Sequence, residues 1–369
     1  MIKVLVVDDS PVVRDFLTHI LDSDPGIQVI GTAGDGEEAI KAVKEKSPDV
    51  VIMDYHMPKM DGYEATRIIM EMHPVPIVIV SGSIDPNEVT TTFHAMEAGA
   101  LAILVRPSGI EHPDHEKGAK ELIRYVKAMS EVRLVRRWPR TGKRENSPPI
   151  RETEVRRETP GVRLVAIGAS TGGPIVIQHI LAALPEDFPA PVLVVLHMAS
   201  GFINGFAGWL DQSSGIRVKV AQHGESVRSG CVYVAPDGFN MGVDKDGRIA
   251  ISGGDDRYGH CPSVSHLFRS VAEAYGETAV GILLTGMGKD GAEELLMMKK
   301  LGAVTIAQDA ESSIVYGMPG VANSLNAATF VFPPDAIAEM LKRLVDKRWG
   351  AARGDTLILG YGHSESYRE

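Results

Sequence analysis

Cysteine is nearly absent: Cys231 and Cys261 are the only two in 369 residues, and no C-x-x-C spacing occurs. That excludes a disulfide framework and a zinc knuckle, and it fits a reducing, cytoplasmic compartment. No apolar run reaches the roughly 18 residues that a membrane span requires. The opening MIKVLVVDDS meets acidic residues after one short apolar stretch, so neither membrane insertion nor secretion is expected. An excess of positive charge is missing too. Thirty-eight Lys and Arg against 48 Asp and Glu leave a net charge of −10, which repels phosphate backbones and argues against nucleic acid as a partner. What is present is ordinary globular material, 44% hydrophobic and 23% charged. At roughly 150 residues per domain, the length predicts two domains and a linker.

The seam is visible along the chain. Over residues 1–128, apolar runs of strand length (Val4–Val7, Val50–Met53, Ile77–Val80, Leu101–Val105) alternate with helix-period segments such as Val12–Leu21. This is the β-α-β-α signature of a parallel sheet. Residues 129–160 contain RLVRRWPRTGKRENSPPIRETEVRRETP, dense in charge and proline, and read as a solvated linker. A second alternating pattern fills 161–347, with strands expected at RLVAIGAS from Arg163, Val192–Leu196, Val232–Ala235, Gly281–Thr285, Val304–Gln308 and Thr329–Phe332. Residues 348–369 form a polar, glycine-rich tail. The expectation is an α/β protein of two domains.

In the first domain Asp8 and Asp9 directly follow the strand VLVV, and Asp54 follows VVIM. Ligands of open α/β sheets bind at such carboxyl ends. Three carboxylates close together stay ionised only with a cation, and an all-oxygen cluster suits Mg²⁺. The plain alternative is that each caps a helix. The combination of VDDS, DYHMPKMDG (Asp54–Gly62), VSGS at 80–83 and Arg106-Pro107 resembles the response-regulator receiver family, over about 125 residues. The resemblance implies a flavodoxin-like fold with a five-stranded parallel sheet, and Asp54 as phosphoacceptor. It also implies that Asp8, Asp9 and the His56 backbone carbonyl hold Mg²⁺ with Asp54, and that Ser81 meets the new phosphoryl group. Arg106 stands where the family carries lysine, and Ile103 where it carries a switch aromatic. A planar guanidinium does not replace a compact ammonium atom for atom.

In the second domain GASTGG (Gly168–Gly173) lies between a strand and the helical PIVIQHILAAL, a G-x-S-x-G pattern that would expose the Ser170 hydroxyl at the sheet edge. These glycines lack the full spacings of the common nucleotide cradles. A nucleophilic serine needs a base, and the base an orienting acid. His197 ends the strand VLVVL, whereas His179 falls within the helix and His223 and His266 lie beside polar segments. Asp290 sits in TGMGKDG at the same edge; Asp187, Asp211 and Asp237 are less well placed. The order Ser, His, Asp differs from the Ser, acid, His order of a conventional α/β-hydrolase. That order would require Asp211 or Asp237 with His260 or His266.

GASTGG, LHM followed by Gly201-Phe202, YVAP, PSV, LLTGMGKDGA, TIAQD and YGMP resemble the chemotaxis methylesterase catalytic domain. With the receiver in front, the order is that of the chemotaxis response regulator protein-glutamate methylesterase family. The resemblance implies that Ser170 attacks a receptor glutamate methyl ester, His197 serves as base and then acid, and Asp290 orients His197. Thr171 and the backbone around Met287 would support the serine and the oxyanion. It further implies deamidation of receptor glutamines, no cofactor for the esterase, methyl-accepting chemoreceptors as substrate and a chemotaxis histidine kinase as phosphodonor. The receiver would cover the active site until phosphorylated. Cys261 before Pro262, Ser265 after Val264 and Gly320-Val321 depart from the family pattern and point to altered substrate recognition.

Other features read as structural. His112 and His115 flank a charged loop without a further ligand; Met297, Met298 and Met318 suit core packing, with Met287 set apart; Cys261 lacks an activating base. The competing reading is a binding module without enzymatic activity, acting on a signalling partner outside chemotaxis.

Overall fold

The computed structural model describes residues 1–82, 92–132, 161–253 and 260–345, together with the backbone of one short antiparallel pair, Glu154–Val155 with Leu357–Ile358. The linker and tail readings otherwise lie outside the described residues, as does part of the VSGS motif.

The first sheet contains β1 (Ile2–Val7), β2 (Ile27–Ala33), β3 (Val50–Met53), β4 (Ile77–Ser81) and β5 (Ala102–Val105), in the order β2-β1-β3-β4-β5 with every pair parallel. Its inner strands are aliphatic throughout because helices cover both faces: Leu5 and Val7 point into one apolar layer, Val4 and Val6 into the other. Edge strand β2, IQVIGTA, is largely open on its middle residues. It lacks the continuous apolar run that marks the other four in the sequence. The helices are α1 (Pro11–Asp22), α2 (Gly36–Lys46), α3 (Gly62–Met72), the short α4 (His94–Glu97) and α5 (His115–Ser130). Helix α5 runs past the boundary expected at residue 128. Asp35 and Asp61 cap α2 and α3 through the Glu38 and Glu64 N–H groups.

The second domain is built on β6 (Leu164–Ala169), β7 (Val192–Leu196), β8 (Arg217–Val220), β9 (Cys231–Val234), β12 (Ala279–Leu283), β13 (Val304–Gln308) and β14 (Phe330–Phe332). These form a parallel sheet in the order β14-β13-β12-β6-β7-β9-β8. A separate antiparallel hairpin, β10 (Phe239–Val243) and β11 (Ile249–Gly253), lies outside it. Helices α6 (Gly173–Ala182), α7 (Ile203–Ser214) and α11 (Pro334–Val345) pack on the face presented by Val165 and Ile167. Helices α8 (Val264–Tyr275), α9 (Ala292–Lys300) and α10 (Met318–Ser324) pack on the face presented by Leu164 and Ala166. The domain is therefore doubly wound. Chain direction reverses across β6, whose neighbours are β7 on one side and β12 on the other, so the crevice expected of such sheets opens at the end of β6, at Ser170. Met298 and Met318 are fully buried, as core methionines should be.

Candidate active site

At the carboxyl edge of the first sheet, Asp8, Asp9 and Asp54 each place a carboxylate oxygen within 4.8 Å of the others. The plain capping role does not account for them. Asp61 caps α3, and the N-terminus of α1 has no side-chain cap. Burial, and next the charge of Asp8, push the Asp54 carboxyl up to about 6. Burial also raises Asp8, against the pull of the Ser10 N–H and Arg106. A hard, all-oxygen donor set carrying more negative charge than its surroundings tolerate fits Mg²⁺. Arg106 lies 3.6 Å from Asp8 through Nη1 and Oδ2. Its guanidinium passes within 1.8 Å of where a Cβ at residue 82 would stand, so in this rotamer it uses the space that Gly82 leaves open. Ser81 is buried at the end of β4, and the His56 ring packs edge-on to Tyr55 beside Asp54.

In the second domain the turn from β6 into α6 is tied down on every side. Ser170 N–H donates to Thr285 O (3.0 Å), Gly173 N–H to Ser170 O (2.8 Å), and Thr285 Oγ1 to Thr171 O (3.0 Å). Thr285 N–H is held in turn by Gln308 Oε1 at 2.8 Å, which explains a glutamine in TIAQD. Gly172 takes φ of +78°, a left-handed conformation that favours glycine, and a Cβ there would meet Ile314 at 2.7 Å. A Cβ on Gly286 would come within 2.6 Å of that of Ser170. The close approach of TGMG to the serine thus requires glycine.

His197 follows β7, its N–H bonded to Ala169 O at 3.0 Å, which sets it beside the serine turn. Its Nε2 lies 2.8 Å from Asp290 Oδ2. Asp290 also accepts from Val264 N–H (2.7 Å), Ser265 N–H (3.0 Å) and Ser263 Oγ (3.1 Å). Burial opposes charge on this carboxyl, but these bonds and the His197 ring outweigh it and hold Asp290 down at about 2. An ionised carboxylate only accepts, so Nε2 of His197 carries the proton and Nδ1 keeps the lone pair. Ser170, His197 and Met287 line one cavity of about 100 Å³ with Met198, His260, Cys261 and Pro262.

The alternative pairs are dispersed. His179 bonds Asp335 at 2.6 Å on the surface, His223 accepts from Ile251 N–H, Asp211 accepts from Val218 N–H, and Asp237 accepts from Gly201 N–H. His260 does enter the cavity, its ring stacked on His197 at 4.4 Å between centroids. His112 and His115 bond separately to their own loop.

Sequence reasoning placed Ser265 among substrate-recognition positions. In the structure it serves Asp290 and receives Gly291 N–H on its Oγ at 2.9 Å, so it is an internal support. Sequence reasoning also missed Ser263, although serine ahead of an apolar-periodic helix is a cap signal. Its Oγ accepts from His266 N–H while donating to Asp290.

The first domain closes the cavity. Glu121, Arg124 and Tyr125 of α5 line it, and the Tyr125 hydroxyl shares a hydrogen bond with the Thr171 side chain. A second space, of about 760 Å³, lies between α5 and residues Met287 and Ile314–Tyr316. Farther along the seam Phe93 stacks on Trp209 (5.4 Å, 19°), and Trp209 Nε1 donates to Glu97 Oε1 at 2.8 Å.

The profile of the CheB methylesterase family matches residues 165–341, and that of the response regulator receiver domain matches residues 4–113. A protein-glutamate methylesterase/protein-glutamine glutaminase of Nitrosospira multiformis is 54% identical over 97% of this chain and 99% of its own length. A relative of the same description from Syntrophus aciditrophicus is 54% identical over 93% and 98%. The crystal structure of the Thermotoga maritima CheB methylesterase catalytic domain is 38% identical, with a TM-score of 0.49, covering 50% of this chain and 100% of that one. The chain belongs to the CheB methylesterase family, in the form that carries a response-regulator receiver ahead of the methylesterase domain.

Proposed function

We propose that the protein is a phosphorylation-regulated protein-glutamate methylesterase that hydrolyses methyl-glutamate esters on methyl-accepting chemoreceptors. The observation that carries the reading is that Ser170 and His197 line one cavity at the sheet's switch point, with ionised Asp290 bonded to His197 behind it. His197 Nδ1 takes the Ser170 proton as Oγ attacks the ester carbonyl, while Asp290 stabilises the imidazolium through Nε2–H. Backbone N–H groups at Met287 and the turn at Thr171 receive the oxyanion. The imidazolium returns its proton to the departing methoxide, which leaves as methanol. Water, deprotonated by the same nitrogen, then cleaves the acyl-serine to free glutamate. A receptor glutamine follows the same route with ammonia leaving.

The receiver supplies the regulation. Asp54 accepts a phosphoryl group from a chemotaxis histidine kinase, with Asp8, Asp9, Asp54 and the His56 carbonyl as the holders of Mg²⁺. Bound there, Mg²⁺ neutralises charge on the entering phosphoryl group. Ser81 and Arg106 face the modified side chain and pass the added charge to the α4–α5 side, weakening the cover over the cavity. The reading carries with it a cytoplasmic location, against the receptors' inner portions. The esterase itself uses no cofactor.

The test is methanol release from methylated receptor cytoplasmic fragments by wild type and Ser170→Ala, each with and without acetyl phosphate and Mg²⁺. Release that requires Ser170 and rises with the phosphodonor is the expected result. No methanol from any receptor would favour a binding module instead.

A further inference from the structure

We infer that His260 is a positioning residue for the base, its ring laid flat against that of His197. The inference rests on the esterase reading above and extends it to a side chain outside the Ser-His-Asp set. The two imidazoles lie 4.4 Å apart between centroids and within 19° of parallel. His197 is fixed at one ring edge by Asp290, a single hydrogen bond about which the ring can still tilt. A flat group against its face removes that freedom.

The charged groups facing His260 define its role. His197 stands on one face, Asp290 lies beyond it, and Arg124 approaches from α5 of the receiver; Glu121 and the Cys261 thiol share the cavity. Asp290 favours a proton on either ring, but it is bonded directly to His197 and only acts at a distance on His260. Burial and the His197 charge lower the pKa of His260. When Ser170 gives up its proton, His260 is therefore neutral, and its π-face lies against the imidazolium that forms. A neutral stacked ring stabilises that cation and keeps Nδ1 aimed at the serine.

The experiment uses the full chain, activated with acetyl phosphate and Mg²⁺, and counts active serine by stoichiometric fluorophosphonate labelling so that misfolded protein drops out. His260→Ala is expected to lower kcat per active site about threefold to tenfold with KM nearly unchanged, the range of a face-on cation contact. His260→Phe, which restores the flat face without a titrating group, should recover most of that loss. A His260→Ala enzyme with wild-type kcat, or a His260→Phe enzyme no faster than His260→Ala, would overturn the inference. Loss of methanol release in the wild type itself would instead overturn the esterase reading, so the two failures are distinct.

Discussion

Asp290 performs two duties with one carboxylate. Its oxygens receive the N–H groups of Val264 and Ser265 in the first turn of α8, and one of them also receives Nε2–H of His197. The positive end of the helix thus helps to keep charged the group that the proposed mechanism needs charged. Asp290→Asn leaves the size unchanged but replaces one acceptor by an amide donor, so His197 loses the bond that fixes its proton on Nε2. A fall in kcat of about 10³–10⁴-fold in methanol release is expected. The same carboxyl makes a pH prediction. Its folded pKa, at about 2, lies below the ordinary 3.8, so its contribution to stability is complete above pH 4 and is lost as pH falls toward 2. The loss amounts to about 2 kcal/mol. Denaturant titrations of wild type and Asp290→Asn should therefore converge between pH 4 and pH 2. Ser170, His197 and Asp290 could be read from the sequence because each directly follows, or lies in the loop after, an aliphatic run. The cap formed by Ser263 was legible, but its bond to Asp290, the support from Ser265 and the stacking of His260 were not. Those partners come from 25 or more residues away, and neither composition nor periodicity encodes such pairings.

At the scale of elements, most of the readable strands were those buried on both faces; the partly buried edge strand β14 was legible too, through its aromatic FVF run. The strands left out, β2, β8 and the β10–β11 hairpin, lie at sheet edges or outside the main sheet. Solvent on one side lets lysine, arginine, glutamine and glycine interrupt the apolar run there. Helix α5 was harder still to interpret. Its amphipathic pattern announces a helix, but nothing in it announces that Glu121, Arg124 and Tyr125 would face another domain's cavity. That placement makes the helix a plug, held by the bond between Tyr125 and Thr171. Tyr125→Phe keeps the ring and removes the bond, worth about 0.5–1.5 kcal/mol. Methanol release without phosphodonor should rise about twofold to tenfold, and the variant and wild type should meet once acetyl phosphate and Mg²⁺ are added. Equal unstimulated rates would show that the hydroxyl plays no part in closure.

At the scale of the whole molecule, α4 and α5 of the receiver form the seam with the second domain, α5 at the cavity of Ser170 and His197 and α4 at Trp209. On the proposed reading, the effect of a phosphoryl group on Asp54 reaches Ser170 through Ser81, Arg106 and these helices. Asp54→Asn should accordingly abolish stimulation by acetyl phosphate, and incorporation of ³²P from labelled acetyl phosphate should vanish with it. Stimulation that survives the substitution would place the phosphoacceptor elsewhere.

The stacked Phe93 and Trp209 give the molecule an optical gauge of its own state. Trp209 is fully buried in the seam, its indole N–H committed to Glu97. The other tryptophans, Trp138 and Trp349, lie outside the described residues. If the receiver swings away, Trp209 loses both its aromatic neighbour and its carboxylate and meets water. Its emission should then move to longer wavelength and become quenchable by acrylamide. Fluorescence recorded during phosphorylation would therefore report domain opening in real time without an added label, and Trp209→Phe would remove the signal.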